Sequence, residues 1–581
     1  MKASPPIETN LSPEDVSWGI SRWSEKPSTS PSGRHLGHYK ALISDPVLLS
    51  CLTKFMNIAI ANGIAVSRWS NAVNVLLEKD PGVPNINRLR IIHLFEADYN
   101  LFPKIMWGKR LVRRAVDYDL LHPGQHGSTP SRATIDPIML TQLTTDLCRV
   151  LKHNIVRFDN DASACYDRII VNLAMLVARR CGMPLNAIQT HAEALQFMRY
   201  AVKTVHGISE ENYSGTPFAP LFGTGQGSGA SPAVWLSLVV LLMNTLDRVV
   251  PERMEFTSPT ASFTHSRLID AFVDDTSLSF TDPGVLRISE MIRRKNSIAQ
   301  TWERLLHFSG GSLNLGKCSW YVMYWHWKEG RPAIRPPHSE EPPVTLTSGS
   351  NQHIHHTIKR TTVDTASKML GVHLAPSGDF SFQLRVMNDK ADKYALRLRS
   401  PRLTPQDIRV FNRTMYEPAM RYSLPALAVD SSELAPIQSN VLASMLQKLG
   451  ISSKLPTAIR HCPIDMGGVA LMDLRTETGI EAIKLLRNNV YANSEVGKLL
   501  QLNMSYSQRE AGIGHPLLER PSLYVSYLTP TWITSVRHFL SLHCLTITCT
   551  DQPPVQLRTK MDQFIMDPAH LVRYSKNNSL T

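Results

Sequence analysis

Cysteine is sparse in this 581-residue chain: Cys51, Cys148, Cys165, Cys181, Cys318, Cys462, Cys544 and Cys549 are scattered without a paired framework. That usage fits a reducing compartment and argues against a small disulfide-held secreted scaffold. No zinc knuckle is visible; the nearest grouping, His538, His543, Cys544 and Cys549, lies among apolar residues and reads as structural. The opening Met-Lys-Ala-Ser-Pro-Pro lacks the apolar stretch of a signal peptide, so the expected location is intracellular, nuclear or cytoplasmic, and not secreted. The longest apolar run, near Ala233 to Met243, is too short to span a bilayer, and no membrane partner is expected. Internal repeats are absent. A glycine-rich run at 223–229 is not followed by Gly-Lys-Ser/Thr, which excludes a phosphate-binding P-loop.

What is present points toward a polyanion. Lys and Arg number 62 against 49 Asp and Glu, a net charge of +13, while 43% hydrophobic content is enough for several cores. Ala271-Phe272-Val273 reads as a buried strand ending in the adjacent carboxylates Asp274 and Asp275. Much earlier, the strand-like Asn154 to Phe158 runs into Asp159-Asn160-Asp161, then Tyr166-Asp167, with a helix expected from about Ile169 to Cys181. Carboxylates on neighbouring strand ends repel one another unless a cation sits between them, and two magnesium ions held so serve nucleotidyl transfer.

Between these acidic elements lies Gly223-Thr224-Gly225-Gln226-Gly227-Ser228-Gly229-Ala230-Ser231-Pro232, in which glycine permits close backbone approach. Ser231 is expected to cap a helix beginning at Pro232 and continuing through the apolar run. Upstream, Val75 to Gly82 and Arg88 to Leu94 read as antiparallel strands, each carrying a cation, Lys79 and Arg90. Downstream come Leu313-Asn314-Leu315-Gly316-Lys317-Cys318 and Lys368-Met369-Leu370-Gly371-Val372-His373-Leu374.

In this order, from Val75 to Leu374, the elements resemble the reverse transcriptases of non-LTR (LINE-like) retroelements. Gln125-His126-Gly127 with Arg132 and Thr134 resembles a further segment of that family, between its fingers and palm. The resemblance implies an α+β right-hand polymerase with a ferredoxin-like palm, fingers and a helical thumb. It implies a metal-binding Asp five positions before an aromatic that excludes a 2′ hydroxyl. Asp161 fits that spacing with Tyr166, and Asp159 is the runner-up. Asp161, Asp274 and Asp275 are then the catalytic carboxylates for two Mg2+ ions, Mn2+ being an alternative. Gln226 and Gly227 contact the nascent base pair, Lys79 and Arg90 grip the triphosphate, and Lys317 acts as general acid. Val273 departs from the Ala or Met of many relatives, which should tune the site and not remove it.

The expected partners are an RNA template, a DNA or RNA primer and dNTPs. A separate endonuclease is expected, because the residues before the fingers are too few for one, and no RNase H pattern follows. Expected domains are an N-terminal extension at 1–70, fingers at 71–145, and a palm at 146–380 with an exposed proline-rich insertion near 331–346. A helical thumb at 381–460 and a C-terminal helical region at 461–581 follow. Thr404-Pro405 signals a helix start with Ile408, Phe411 and Met415 on its inner face, and Val441 to Leu449 continues to a stop at Gly450. In the extension, the pair His35 and His38 reads as structural or nucleic-acid-contacting. Other readings are a catalytically silent or domesticated RNA-binding scaffold, a maturase-like protein, and an RNA-directed RNA polymerase, which Tyr166 disfavours.

Overall fold

The computed structural model describes residues 6–548 apart from 26–29, 80, 84, 87, 88, 217, 350, 514 and 524. Cys549 and the rest of the chain to residue 581 lie outside the described residues. The architecture is mixed α/β, with two hydrophobic clusters meeting at one central sheet.

Three N-terminal helices, α1 (Pro13–Ser21), α2 (Leu36–Leu42) and α3 (Pro46–Asn62), lead into the hairpin β1 (Asn71–Glu78) and β2 (Leu89–Phe95). Each start is signalled locally. Ser12 and Asp45 accept from first-turn amides, and Pro13 and Pro46 occupy positions whose missing N–H costs nothing. His35 and His38 are cap residues of this kind: His35 Nδ1 accepts from Gly37 N at 3.2 Å, and His38 Nδ1 from His35 N at 3.0 Å. Helix α4 (Ile135–Leu151) follows and is buried along most of its length.

The central sheet begins with β3 (Asn154–Asp161). Helix α5 (Val171–Arg180) comes next, and then β4 (Arg199–Thr204), which leaves this sheet and pairs in parallel with β1. Residues 199–204, inside the span 146–380, therefore belong to the hairpin's sheet. Helix α6 (Ser231–Val249) returns the chain to β5 (Ile269–Phe272) and β6 (Asp275–Asp282), and α7 (Ile288–Phe308) crosses to β7 (Ser319–Met323) and β8 (Lys359–Arg360). The strand order is β8-β7-β3-β6-β5, antiparallel except for β8 against β7. Period-two alternation sorts the faces: Val156, Phe158, Trp320 and Val322 join the first cluster, and Ile155, Tyr321 and Met323 the second. Asp159 and Asp161 share the second face with Ile155.

A tight hairpin follows, β9 (Ser367–Met369) and β10 (Val372–Leu374), whose two turn residues Leu370 and Gly371 both have positive φ. From there the described chain is helical: α8 (Ser381–Leu398), α9 (Pro405–Phe411), α10 (Ser431–Lys448), α11 (Leu474–Asn489), α12 (Glu495–Ala511) and α13 (Trp532–Leu542). Thr404 forms a capping box with Asp407, and Gly450 follows α10 at φ 71°. The last two helices dock back on α4: Asn503 Nδ2 donates to Leu143 O at 3.0 Å, and Trp532 N to Asp146 Oδ2 at 2.8 Å.

Four local expectations are corrected. Ser231 does not cap α6; the N-cap is Ala230, and the Ser231 hydroxyl turns back into the glycine loop, donating to Gly225 O at 2.8 Å. Helix α6 outruns the apolar stretch read from the sequence and, at 19 residues, is long and apolar enough to cross a membrane, although over half of that window is buried in the protein. Met415 is exposed and Tyr416 buried, because a π-helical stretch, Asn412–Tyr416, adds a residue to the turn and rotates the helix face. The segment near 331–346 is only partly exposed: Val344 is buried, and the nearly buried Glu341 carboxylate forms an ion pair with Arg360, Oε2 lying 2.5 Å from Nη2.

Candidate functional site

Register places the carboxylates. Antiparallel pairing of β3 with β6 sets Asp161 directly opposite Asp275, and the β5–β6 hairpin closes with Phe272 opposite Asp275. Val273 and Asp274 are thus the two turn residues. A hairpin this tight requires positive φ, and Val273 supplies it at 58°, a strained conformation for a β-branched side chain. The surroundings hold it there. Trp235 Nε1 of α6 donates to Val273 O at 2.6 Å, and Ala162 N donates to Asp274 O at 3.0 Å. On the far side, Gly124 and His126 pair with Ala271, and a Cβ on Gly127 would lie 2.4 Å from Val273 N, so only glycine lets that segment brace the turn.

Burial raises the pKa of Asp274, and the nearby Asp161 carboxylate adds to the effect. Asp275 is pushed up to about 6 by burial first, then by Asp274 and Asp161. Lys317 answers this charge: Nζ lies 2.8 Å from Asp161 Oδ2, and the bond raises the lysine pKa, keeping it protonated. Asn314 also reaches Asp161, donating from its backbone N to Asp161 O at 2.9 Å and from Nδ2 to Oδ2 at 3.3 Å. Asp159 is spent differently, its Oδ1 accepting from Arg157 Nε at 2.7 Å and Ser277 Oγ at 2.6 Å. Asp159 is thus tied to a buried guanidinium within its own strand, whereas Asp161 is tied to Lys317 and Asn314 from the segment after α7.

Among the described residues no three His, Cys, Asp or Glu side chains converge tightly enough to hold an ion as they stand, because Asp161 is turned to Lys317. The donor set nevertheless fits a hard divalent cation: three carboxylates crowd one sheet end, and their repulsion shows in the raised pKa of Asp275. Asp161 and Asp275 open onto a groove of about 410 Å³ lined also by Arg157, Asp159, Ser277, Lys317, Lys368 and Leu370 of the β9–β10 turn.

Tyr166 is half-buried beside this sheet end, and its neighbour Asp167 touches the glycine loop. Thr224 N donates to Tyr166 O at 2.8 Å, and a Cβ on Gly223 would lie 2.6 Å from Asp167 Cα. The loop also leans on β2: His93 N donates to Gln226 O at 2.7 Å, and a Cβ on Gly227 would lie 2.2 Å from His93 O. Lys79 is exposed just past β1, near enough for its charge to act on Asp167. Arg90 stands exposed on β2, opposite Leu77.

Sequence reasoning passed over Trp235, His93 and Arg157. For Trp235 a signal existed, since an indole N–H inside an apolar run needs a partner. His93 carries no local signal, since its bond to Gln226 spans more than a hundred residues, whereas Arg157 stands two residues before Asp159 on the same strand face and reaches Ser277 only through the fold.

No protein-family model matches the sequence, and no curated protein does. Among solved structures, the fold is similar to telomerase from Candida albicans in complex with a TWJ fragment of telomeric RNA, with a TM-score of 0.38 and 11% identity. That alignment covers 78% of this chain and 64% of the telomerase chain, so this protein spans about two thirds of that structural neighbour's length.

Proposed function

We propose that the chain is a reverse transcriptase, an RNA-directed DNA polymerase of the non-LTR retroelement type. The observation that carries this reading is the placement of Asp161 against Asp275, with Asp274 in the adjoining β5–β6 turn and a glycine loop seated on Tyr166-Asp167. The order β7-β3-β6-β5, with α6 and α7 as connecting helices, supports a ferredoxin-like palm. The β1–β2 hairpin takes the place of fingers, and α8 to α10 that of a thumb.

Asp161, Asp274 and Asp275 would hold two magnesium ions, with manganese as an alternative. Such ions would supply the charge that activates a primer 3′ hydroxyl and neutralises a departing pyrophosphate. The protein's own groups do the rest. Tyr166 sets a floor under the sugar, Gln226 and Gly227 place the base pair, and Lys79 and Arg90 grip the triphosphate. Lys317 keeps a proton at Nζ and gives it to the leaving group. The substrates are an RNA template, a DNA or RNA primer and dNTPs.

Primer extension on poly(A) RNA with dTTP and magnesium, comparing the native chain with Asp274→Asn, tests the reading. Extension by the native chain and none by the variant is expected. Equal extension by both removes the assignment, and RNA binding without extension by either favours the scaffold reading.

A further inference from the structure

Asp167 sits where β2, the turn after β3 and the glycine loop meet. Its Oδ2 accepts from Gln226 Nε2 at 3.2 Å, while Oδ1 is buried with no hydrogen-bond partner. His93 Nε2 is 3.9 Å from Oδ1 but is neutral, since burial lowers its pKa to about 4. The backbone draws the same groups together, through His93 N to Gln226 O and Thr224 N to Tyr166 O. A carboxylate can only accept, so the Gln226 amide must turn its NH2 toward Asp167. Its carbonyl oxygen is then the atom left for another partner.

We propose that Asp167 is a positioning residue that fixes the orientation of the Gln226 amide, so that the site offers the incoming nucleotide a hydrogen-bond acceptor and not a donor. The inference rests on the polymerase reading and deepens it. Loss of the carboxylate frees the amide to rotate, and a rotating amide presents the wrong group part of the time. Asp167 also meets the backbone of Gln226 and feels the charge of Lys79, so the part of its effect carried by the side-chain amide is the part that disappears once the Gln226 side chain is gone. That dependence separates positioning from a general loosening of the loop.

The test is single-nucleotide incorporation on a fixed primer–template by the native chain, Asp167→Ala, Gln226→Ala and the double variant. Each single variant should raise the dNTP KM about 10-fold, as expected for losing one hydrogen bond to a charged group, with kcat reduced far less. The double variant should be no worse than Gln226→Ala alone. Additive effects, about 100-fold in the double variant, overturn the inference, as does a loss confined to kcat. If Asp167→Ala fails to fold, Asp167→Asn decides: its carbonyl still accepts from the amide but its NH2 competes, so a KM rise of about threefold is expected, and an unchanged KM overturns the proposal. A native chain that incorporates nothing overturns the polymerase reading and this inference with it, whereas an active native chain with additive variants overturns this inference alone.

Discussion

Replacing Lys317 should separate metal binding from proton transfer. Its Nζ is 2.8 Å from Asp161 Oδ2, yet the lysine side chain is 64% exposed while that of Asp161 is 14% exposed. Water therefore screens the pair, and such bridges contribute about 0–1 kcal/mol. Lys317→Ala should accordingly lower the melting temperature by no more than about 2 °C. The ammonium also competes with any divalent cation for Asp161. Removing it should tighten Mg2+ binding by up to about fivefold, the equivalent of roughly 1 kcal/mol. Turnover should move the other way, because losing a general acid costs about 100-fold or more in kcat. Lys317→Arg sharpens the contrast: it keeps the charge, so Mg2+ affinity stays near native, but a guanidinium does not release its proton and kcat stays low. Calorimetric Mg2+ titration and steady-state extension rates measure both quantities on the same preparations. A kcat within about threefold of native in both variants refutes the general-acid role. Weaker Mg2+ binding by Lys317→Ala refutes the competition argument.

Tyr166→Ala should admit ribonucleotides, read as a fall in deoxy-over-ribo discrimination during extension; unchanged discrimination removes the steric role. Gly227→Ala should abolish extension, because its Cβ would lie 2.2 Å from His93 O at φ 126°; extension at the native rate would refute the need for close approach there. Stability should fall on acidification. Burial lowers the pKa of both His93 and His265 to about 4, so between that value and about 6.5 the unfolded chain binds more protons than the folded one. Their stabilising contribution is complete above about 6.5 and should decrease by roughly 1–1.5 kcal/mol per histidine by about pH 5.5, measurable by denaturant unfolding across that range. A flat profile would show that neither histidine is held neutral in the fold.

The helix starts were legible locally because a cap is a contact within four residues: Thr404 with Asp407 and Ser12 with Asp15 needed nothing beyond their own sequence. The same holds for the β1–β2 hairpin and for the strand carrying Ala271. Ser231 was misread for the converse reason. A serine before a helix usually bonds forward, but here Thr224 and Gly225 offered partners seven and six residues upstream, and only the folded loop brings them near. Met415 was misplaced because a π-turn changes the helical period without leaving a mark in residue type.

By itself the sequence determined which residues carry charge at strand ends, where glycine must stand, and in what order the elements run. These follow from side-chain chemistry and short-range sterics. Tertiary structure alone decided which groups engage the two candidate carboxylates, Arg157 and Ser277 on Asp159 and Lys317 and Asn314 on Asp161. It also decided that Val273 sits at positive φ, held by Trp235, and that Gln226 Nε2 reaches Asp167. Register is a cooperative property of paired strands. One residue of slip would turn Asp161 to the opposite face, and no local pattern states which register the packed core will select.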